Sequence, residues 1–202
     1  MYSSENFWNR VSSHSSDKIG KIGLQIIHRT TSYLNKSDTV LDFGCGSGLI
    51  SIELAKAAQD IVAIDTSEKM IKIAQDKSNN IPQKISFLYT DLFDQRFKNN
   101  SFDIILAFNV LHYVPDTKKT LKKIYTLLKP NGIFISSTAC LGEKRSLPRI
   151  FMTVLLKLGI MPTTNFYTKI KLQQSIQQSG FFIKEQRELS NLPELFLVAQ
   201  KH

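Results

Sequence analysis

The chain has 202 residues, 42% of them hydrophobic and 21% charged, enough for one domain with a core of its own. That balance excludes a disordered, collagen-like or disulfide-stapled chain, and the two cysteines, Cys45 and Cys140, give no metal-ligand spacing and suit a reducing compartment. Lys and Arg number 26 against 17 acids, a formal charge of +9; the lysines are scattered, so a solvated basic surface explains them as well as an anionic partner does.

Residues 17–34 read as a helix, with Ile19, Ile22, Ile26 and Tyr33 near one face and Asp17 as its cap. A short β-branched run at 39–43 reads as a buried strand, followed by glycines at 44, 46 and 48 and a helix over 49–58. A strand at 61–64 ends at Asp65, and Ser67 caps a helix over 68–77. Strands follow at 85–89 and 102–108, a helix at 117–128, and a fifth strand at 132–137 after the Pro130-Asn131-Gly132 turn. Strands alternating with helices predict repeated βαβ units and a parallel sheet. Continuous apolar strands predict helices on both faces.

The carboxyl-terminal part reads differently. Strands at 181–189 and 195–200 are separated by five residues, too few for a parallel crossover, so they should form an antiparallel hairpin. Residues 139–170 interrupt the alternation at the carboxyl edge of the sheet, where open α/β sheets bind ligands. That stretch is both basic (Lys144, Arg145, Arg149, Lys157) and apolar, and reads as a helical cap. The longest apolar run, 150–161, is broken by Thr153, Lys157 and Gly159. It falls short of the ~20 residues a spanning helix needs, and a cytoplasmic protein is the expectation.

The most informative segment is VLDFGCGSGL at 40–49, a strand running through a glycine loop into a helix. Glycine lets backbone approach a ligand where a Cβ would clash, and a helix start offers free N–H groups. The pattern is Asp42-x-Gly44-x-Gly46-x-Gly48 rather than the dinucleotide G-x-G-x-x-G. Asp65 stands 65 − 48 = 17 residues past the last glycine. A carboxylate there can accept from two vicinal ribose hydroxyls; the same acid would serve NAD, so it does not choose the cofactor alone.

In order and spacing these segments resemble the class I S-adenosylmethionine (SAM)-dependent methyltransferases, over about residues 35 to 200. The glycine run at 40–49, IVAIDTSEKM at 61–70, YTDL at 89–92, FDIILAFNVLH at 102–112 and LKPNGIFI at 128–135 look like that family's successive motifs. The resemblance implies a Rossmann-like, seven-stranded, mostly parallel sheet of order 3-2-1-4-5-7-6, helices on both faces and a terminal antiparallel hairpin. It implies one domain over 1–202, with an N-terminal helical lid at 1–34 and a cap at 139–170 over the acceptor pocket.

It also implies SAM as cofactor, with Asp42, Gly44, Cys45, Gly46, Asp65, Thr66, Met70, Asp91, Leu92 and Asn109 in its site. Asp65 would take the ribose and Asp91 the adenine amino group, with Met70 against the ring. Asp42 would fix the loop backbone or meet the ammonium group through water, and Cys45 is read as a small residue that fits. The cofactor carries the activated group, so the protein's task is alignment and exclusion of water. His112, after the fourth strand, is the best-placed general base; a histidine hydrogen-bonded locally at a helix start would look the same. Phe7-Trp8-Asn-Arg-Val11 is read as a segment folding over the cofactor or as a helix docked on the sheet.

The expected activity is methyl transfer from SAM to a small-molecule acceptor, aromatic or lipid-like, with no metal, no nucleic-acid partner and no integral membrane segment. The alternatives are an RNA or protein methyltransferase, or a catalytically silent SAM-binding partner or sensor.

Overall fold

The computed structural model describes residues 4–14, 18–79, 81–82, 84–143, 153–156, 158, 161–162, 164–189 and 193–202. Its strands are β1 (Thr39–Phe43), β2 (Asp60–Asp65), β3 (Ile85–Tyr89), β4 (Phe102–Phe108), β5 (Leu128–Ala139), β6 (Phe181–Glu188) and β7 (Glu194–Lys201). They form one sheet of order β3-β2-β1-β4-β5-β7-β6. Strands β1 to β5 pair parallel, and β7 runs antiparallel to both β5 and β6. This is the order and the terminal hairpin expected from the sequence.

Alternation along the strands builds two cores, one on each face. Leu41, Ile105, Phe134 and Leu197 point to the face covered by α5 (Thr117–Leu127) and α6 (Lys169–Gln178), meeting Leu121, Ile124, Leu172 and Ile176. Their neighbours Val40, Ile104, Ile135 and Phe196 point the other way. There they meet α2 (Lys21–Thr31), α3 (Leu49–Leu54) and α4 (Glu68–Ser78) through Ile26, Ile52, Ile71 and Ala74. Helix α2 is therefore a core helix, and α1 (Ser4–Val11) is the part of the N-terminal segment that reaches the carboxyl edge of the sheet.

Several boundaries differ from the sequence reading. Helix α3 ends at Leu54, and α2 begins at Lys21, with Gly20 as an N-cap that makes no side-chain bond; the expected cap Asp17 lies outside the described residues. Strand β5 begins at Leu128, four residues early, because Leu128 pairs with Phe102 before a bulge. Asn131 turns there at φ +64°. Part of the expected cap, including Lys144, Arg145, Arg149 and Lys157, also lies outside the described residues. Its two ends are pinned: Gly142 N donates to Tyr167 O at 2.7 Å and Lys169 N to Glu143 Oε1 at 2.7 Å.

Candidate active site

The carboxyl ends of β1 to β4 open into a cleft of about 1090 Å³. Its floor is the loop after β1. Gly44 N and Cys45 N both donate to Ile64 O, at 2.8 and 3.0 Å, so the loop curls back onto the end of β2. Gly44, Gly46 and Gly48 have φ of +76°, +54° and +77°, the left-handed region that favours glycine. Their surroundings differ. A Cβ on Gly44 would stand 2.6 Å from Val110 and one on Gly48 2.7 Å from Phe87, whereas one on Gly46 meets nothing within 4 Å. Gly44 and Gly48 are thus held by packing, and Gly46 borders open space in the cleft.

Asp65 ends β2 beside this loop. Its Oδ2 accepts from Gly46 N at 2.9 Å and its Oδ1 from Ser67 N at 2.8 Å. A carboxylate has about four acceptor positions, so these N–H donors leave room for a ligand hydroxyl. Burial raises its pKa, and the N–H donors pull the other way. Asp91, after β3, is exposed at the cleft and takes Phe93 N on Oδ1 at 2.7 Å. Thr66, Met70, Leu92 and Asn109 line the same cleft. Asn109 follows β4 directly, at φ +53°.

Of the residues singled out from sequence, the structure brings Gly44, Gly46, Asp65, Thr66, Met70, Asp91, Leu92 and Asn109 together around the cleft. Asp42, Cys45 and His112 are not in its lining. Asp42 is 2% exposed and accepts from Ser51 Oγ on α3 at 2.5 Å, so it ties the loop to the helix behind it. Burial pushes its carboxyl up to about 6. The Cys45 thiol, also raised by burial, stays protonated. His112 follows β4 as expected, but it is 5% exposed, its Nδ1 has no partner among the described residues, and burial lowers its pKa to about 4. Its ring packs on Tyr113 at a centroid distance of 4.0 Å. This is a neutral core histidine, outside the lining in which a base would meet its substrate.

Sequence reasoning missed Glu5, Phe93 and Tyr113. Helix α1 crosses the cleft from one wall to the other: Tyr89 Oη donates to Glu5 Oε1 at 2.8 Å, Ser67 Oγ to Asn9 Oδ1 at 2.6 Å, and Trp8 meets Tyr113 edge to face. Only the aromatic content of the N-terminal segment hinted at this. Asn165 holds the Tyr113 wall from behind, donating N to His112 O and Nδ2 to Val114 O, each at 2.7 Å.

The layout by sheet order is consistent. Acids Asp65 and Asp91 stand at the β2 and β3 side, the glycine loop is central, and Val110, Tyr113, Val114 and Pro115 form an apolar wall at the β4 side. A purine nucleoside with an amino-acid tail fits this pattern: acceptors for ribose and base, and open backbone for the tail. Among the described residues no cluster of His, Cys, Asp and Glu could hold a metal, and no helix is long and apolar enough to cross a membrane.

Residues 34–190 match a protein family described as a methyltransferase domain. The chain belongs to that family. It is a SAM-dependent methyltransferase, and SAM is its cofactor. A ubiquinone biosynthesis O-methyltransferase of Hydrogenovibrio crunogenus is 29% identical over 173 residues, covering 83% of this methyltransferase and 71% of that protein. A carboxy-S-adenosyl-L-methionine synthase of Nautilia profundicola is 32% identical over 127 residues, 61% of this chain and 53% of that one. The crystal structure of a SAM-dependent methyltransferase from Methanosarcina mazei superposes with a TM-score of 0.67 at 25% identity, covering 87% and 96% of the two chains.

Proposed function

We propose that this methyltransferase acts on a small-molecule acceptor with an aromatic or otherwise apolar body, seated against the wall formed by Trp8, Tyr113, Val114 and Pro115. The observation that carries this reading is the edge-to-face pair of Trp8 and Tyr113 at that end of the cleft, with ring centroids 4.9 Å apart. Aromatic walls favour flat apolar ligands. The O-methyltransferase relative, named for ubiquinone biosynthesis, supports the same class of acceptor.

When bound, SAM supplies a methyl group already activated on a sulfonium, for in-line displacement by the acceptor. The chain does the holding. Asp65 accepts from the ribose hydroxyls, Asp91 accepts from the adenine amino group, and Met70 and Leu92 flank the base. The backbone at Gly46 admits the amino-acid tail without a Cβ in the way. Thr66 lies exposed at the rim of the ribose end. Helix α1, tied to three sides of the cleft, excludes water and fixes the approach of the acceptor.

The test is incubation of the full chain with methyl-labelled SAM and a panel of phenols, catechols and long-chain fatty acids, beside tRNA and a protein mixture. Label should enter an organic-extractable small molecule. Incorporation into RNA or protein alone would overturn the reading.

A further inference from the structure

Glu194 is 7% exposed at the start of β7 and has no cationic partner among the described residues. Acids are rarely buried without one. Its Oε1 instead accepts two neutral donors, Ser137 Oγ at 2.5 Å and Asn109 Nδ2 at 3.3 Å. Asn109 is joined to the same place by its backbone, since Asn109 N donates to Ser137 O at 2.7 Å. Three strands thus converge: β4 leads into Asn109, β5 supplies Ser137, and β7 supplies Glu194. Asn109 holds φ +53°, which directs it to the cleft, where it is exposed.

The hydrogen bonding decides which end of the amide faces the ligand. Nδ2 is taken by Glu194, so Oδ1 is the group offered to the cleft. The adjoining Val110 packs against Gly44, which places Asn109 on the glycine-loop side. A bound cofactor's amino-acid tail, with its ammonium donors, would lie there. We propose that Glu194 is a positioning residue: it fixes the Asn109 amide so that Oδ1 accepts from the ammonium of the cofactor. Ser137 holds the Glu194 carboxyl in turn. This rests on the assignment of the cleft to SAM, whose failure would show separately as no SAM binding by the unaltered protein.

The experiment is calorimetric titration of the full chain with S-adenosylhomocysteine and with 5′-methylthioadenosine, which keeps adenine and ribose but lacks the amino-acid tail. Asn109→Ala and Glu194→Ala should each weaken S-adenosylhomocysteine binding by about tenfold and leave methylthioadenosine within about twofold. Glu194→Gln keeps an acceptor oxygen and should fall between, and it carries the test if Glu194→Ala does not fold. The double alanine variant should bind no more weakly than Asn109→Ala alone. Equal losses for both ligands, multiplicative losses in the double variant, or no loss in Asn109→Ala would each overturn the proposal.

Discussion

Trp8 of α1 and Tyr113 after β4 meet edge to face, with ring planes at 80° and centroids 4.9 Å apart. The contact joins the N-terminal helix to the wall of the cleft that follows the fourth strand. Such a pair contributes about 1 kcal/mol beyond area burial, beside the Glu5–Tyr89 and Asn9–Ser67 hydrogen bonds that also hold α1 at the cleft.

Trp8 is the chain's single tryptophan and it lines the cleft, so its emission reports occupancy. Titration with SAM should give a saturable change in fluorescence with the same midpoint as calorimetry. Tyr113→Ala should shift the ligand-free emission to the red and change SAM affinity by less than about threefold, under ~0.7 kcal/mol. Identical spectra with and without saturating SAM would mean that α1 does not respond to the ligand.

The glycine loop separates packing from binding. Gly48→Ala forces a Cβ to within 2.8 Å of Phe87 and Ala74 at positive φ, and should cost about 2–4 kcal/mol in urea denaturation. Gly46→Ala has the same backbone problem but open space around the new methyl. It should cost only about 1 kcal/mol of stability and yet weaken SAM binding more than tenfold, over ~1.4 kcal/mol. Equal stability losses in the two variants would contradict the packing described.

Two buried groups should oppose one another in acid. The Asp42 carboxyl is raised from 3.8 to about 6 in the folded protein. Its folded form holds a proton that the unfolded form has lost, so its contribution is full below the unfolded value and is lost as pH rises toward 6. His112 is lowered from 6.5 to about 4, so its contribution is present above the unfolded value and is lost as pH falls toward 4. Each amounts to about 3 kcal/mol, and between pH 4 and 6 the slopes largely cancel. Denaturation of Asp42→Asn across that window should show stability rising with pH, and of His112→Gln stability falling with pH. Like slopes in the two variants would refute the assignment.

His112→Gln also tests the absence of a base role. Once an acceptor is found, kcat should stay within about threefold of the unaltered enzyme, under ~0.7 kcal/mol of barrier. A drop of a hundredfold or more, the range general-base loss produces, would restore His112 to the chemistry.

The sheet was legible because its signals are local. Apolar β-branched runs and link lengths specify strands, a parallel majority and the closing hairpin, and the glycine spacing with Asp65 and Asp91 marks the ligand edge. Less legible were the surroundings of side chains whose burial depends on distant packing. His112 follows a strand that ends at the cleft, but the turn that carries it, Leu111–Tyr113, faces His112 inward and gives the cleft to Tyr113. Asp42 precedes the loop by two residues, yet strand alternation turns it toward Ser51. The docking of α1 depends on Glu5, Trp8 and Asn9 meeting Tyr89, Tyr113 and Ser67, contacts across the fold that no periodicity announces.

Asp65 and the glycine loop are the proposed seat of SAM, and calorimetry on Asp65→Ala separates this from any other placement. The unaltered protein should bind SAM in the micromolar range, roughly −8 kcal/mol, and should not bind NAD. Asp65→Ala, with circular dichroism unchanged, should lose about 2–3 kcal/mol of SAM affinity through the missing charge-assisted acceptor. A dissociation constant equal to that of the unaltered protein would place the ribose away from Asp65.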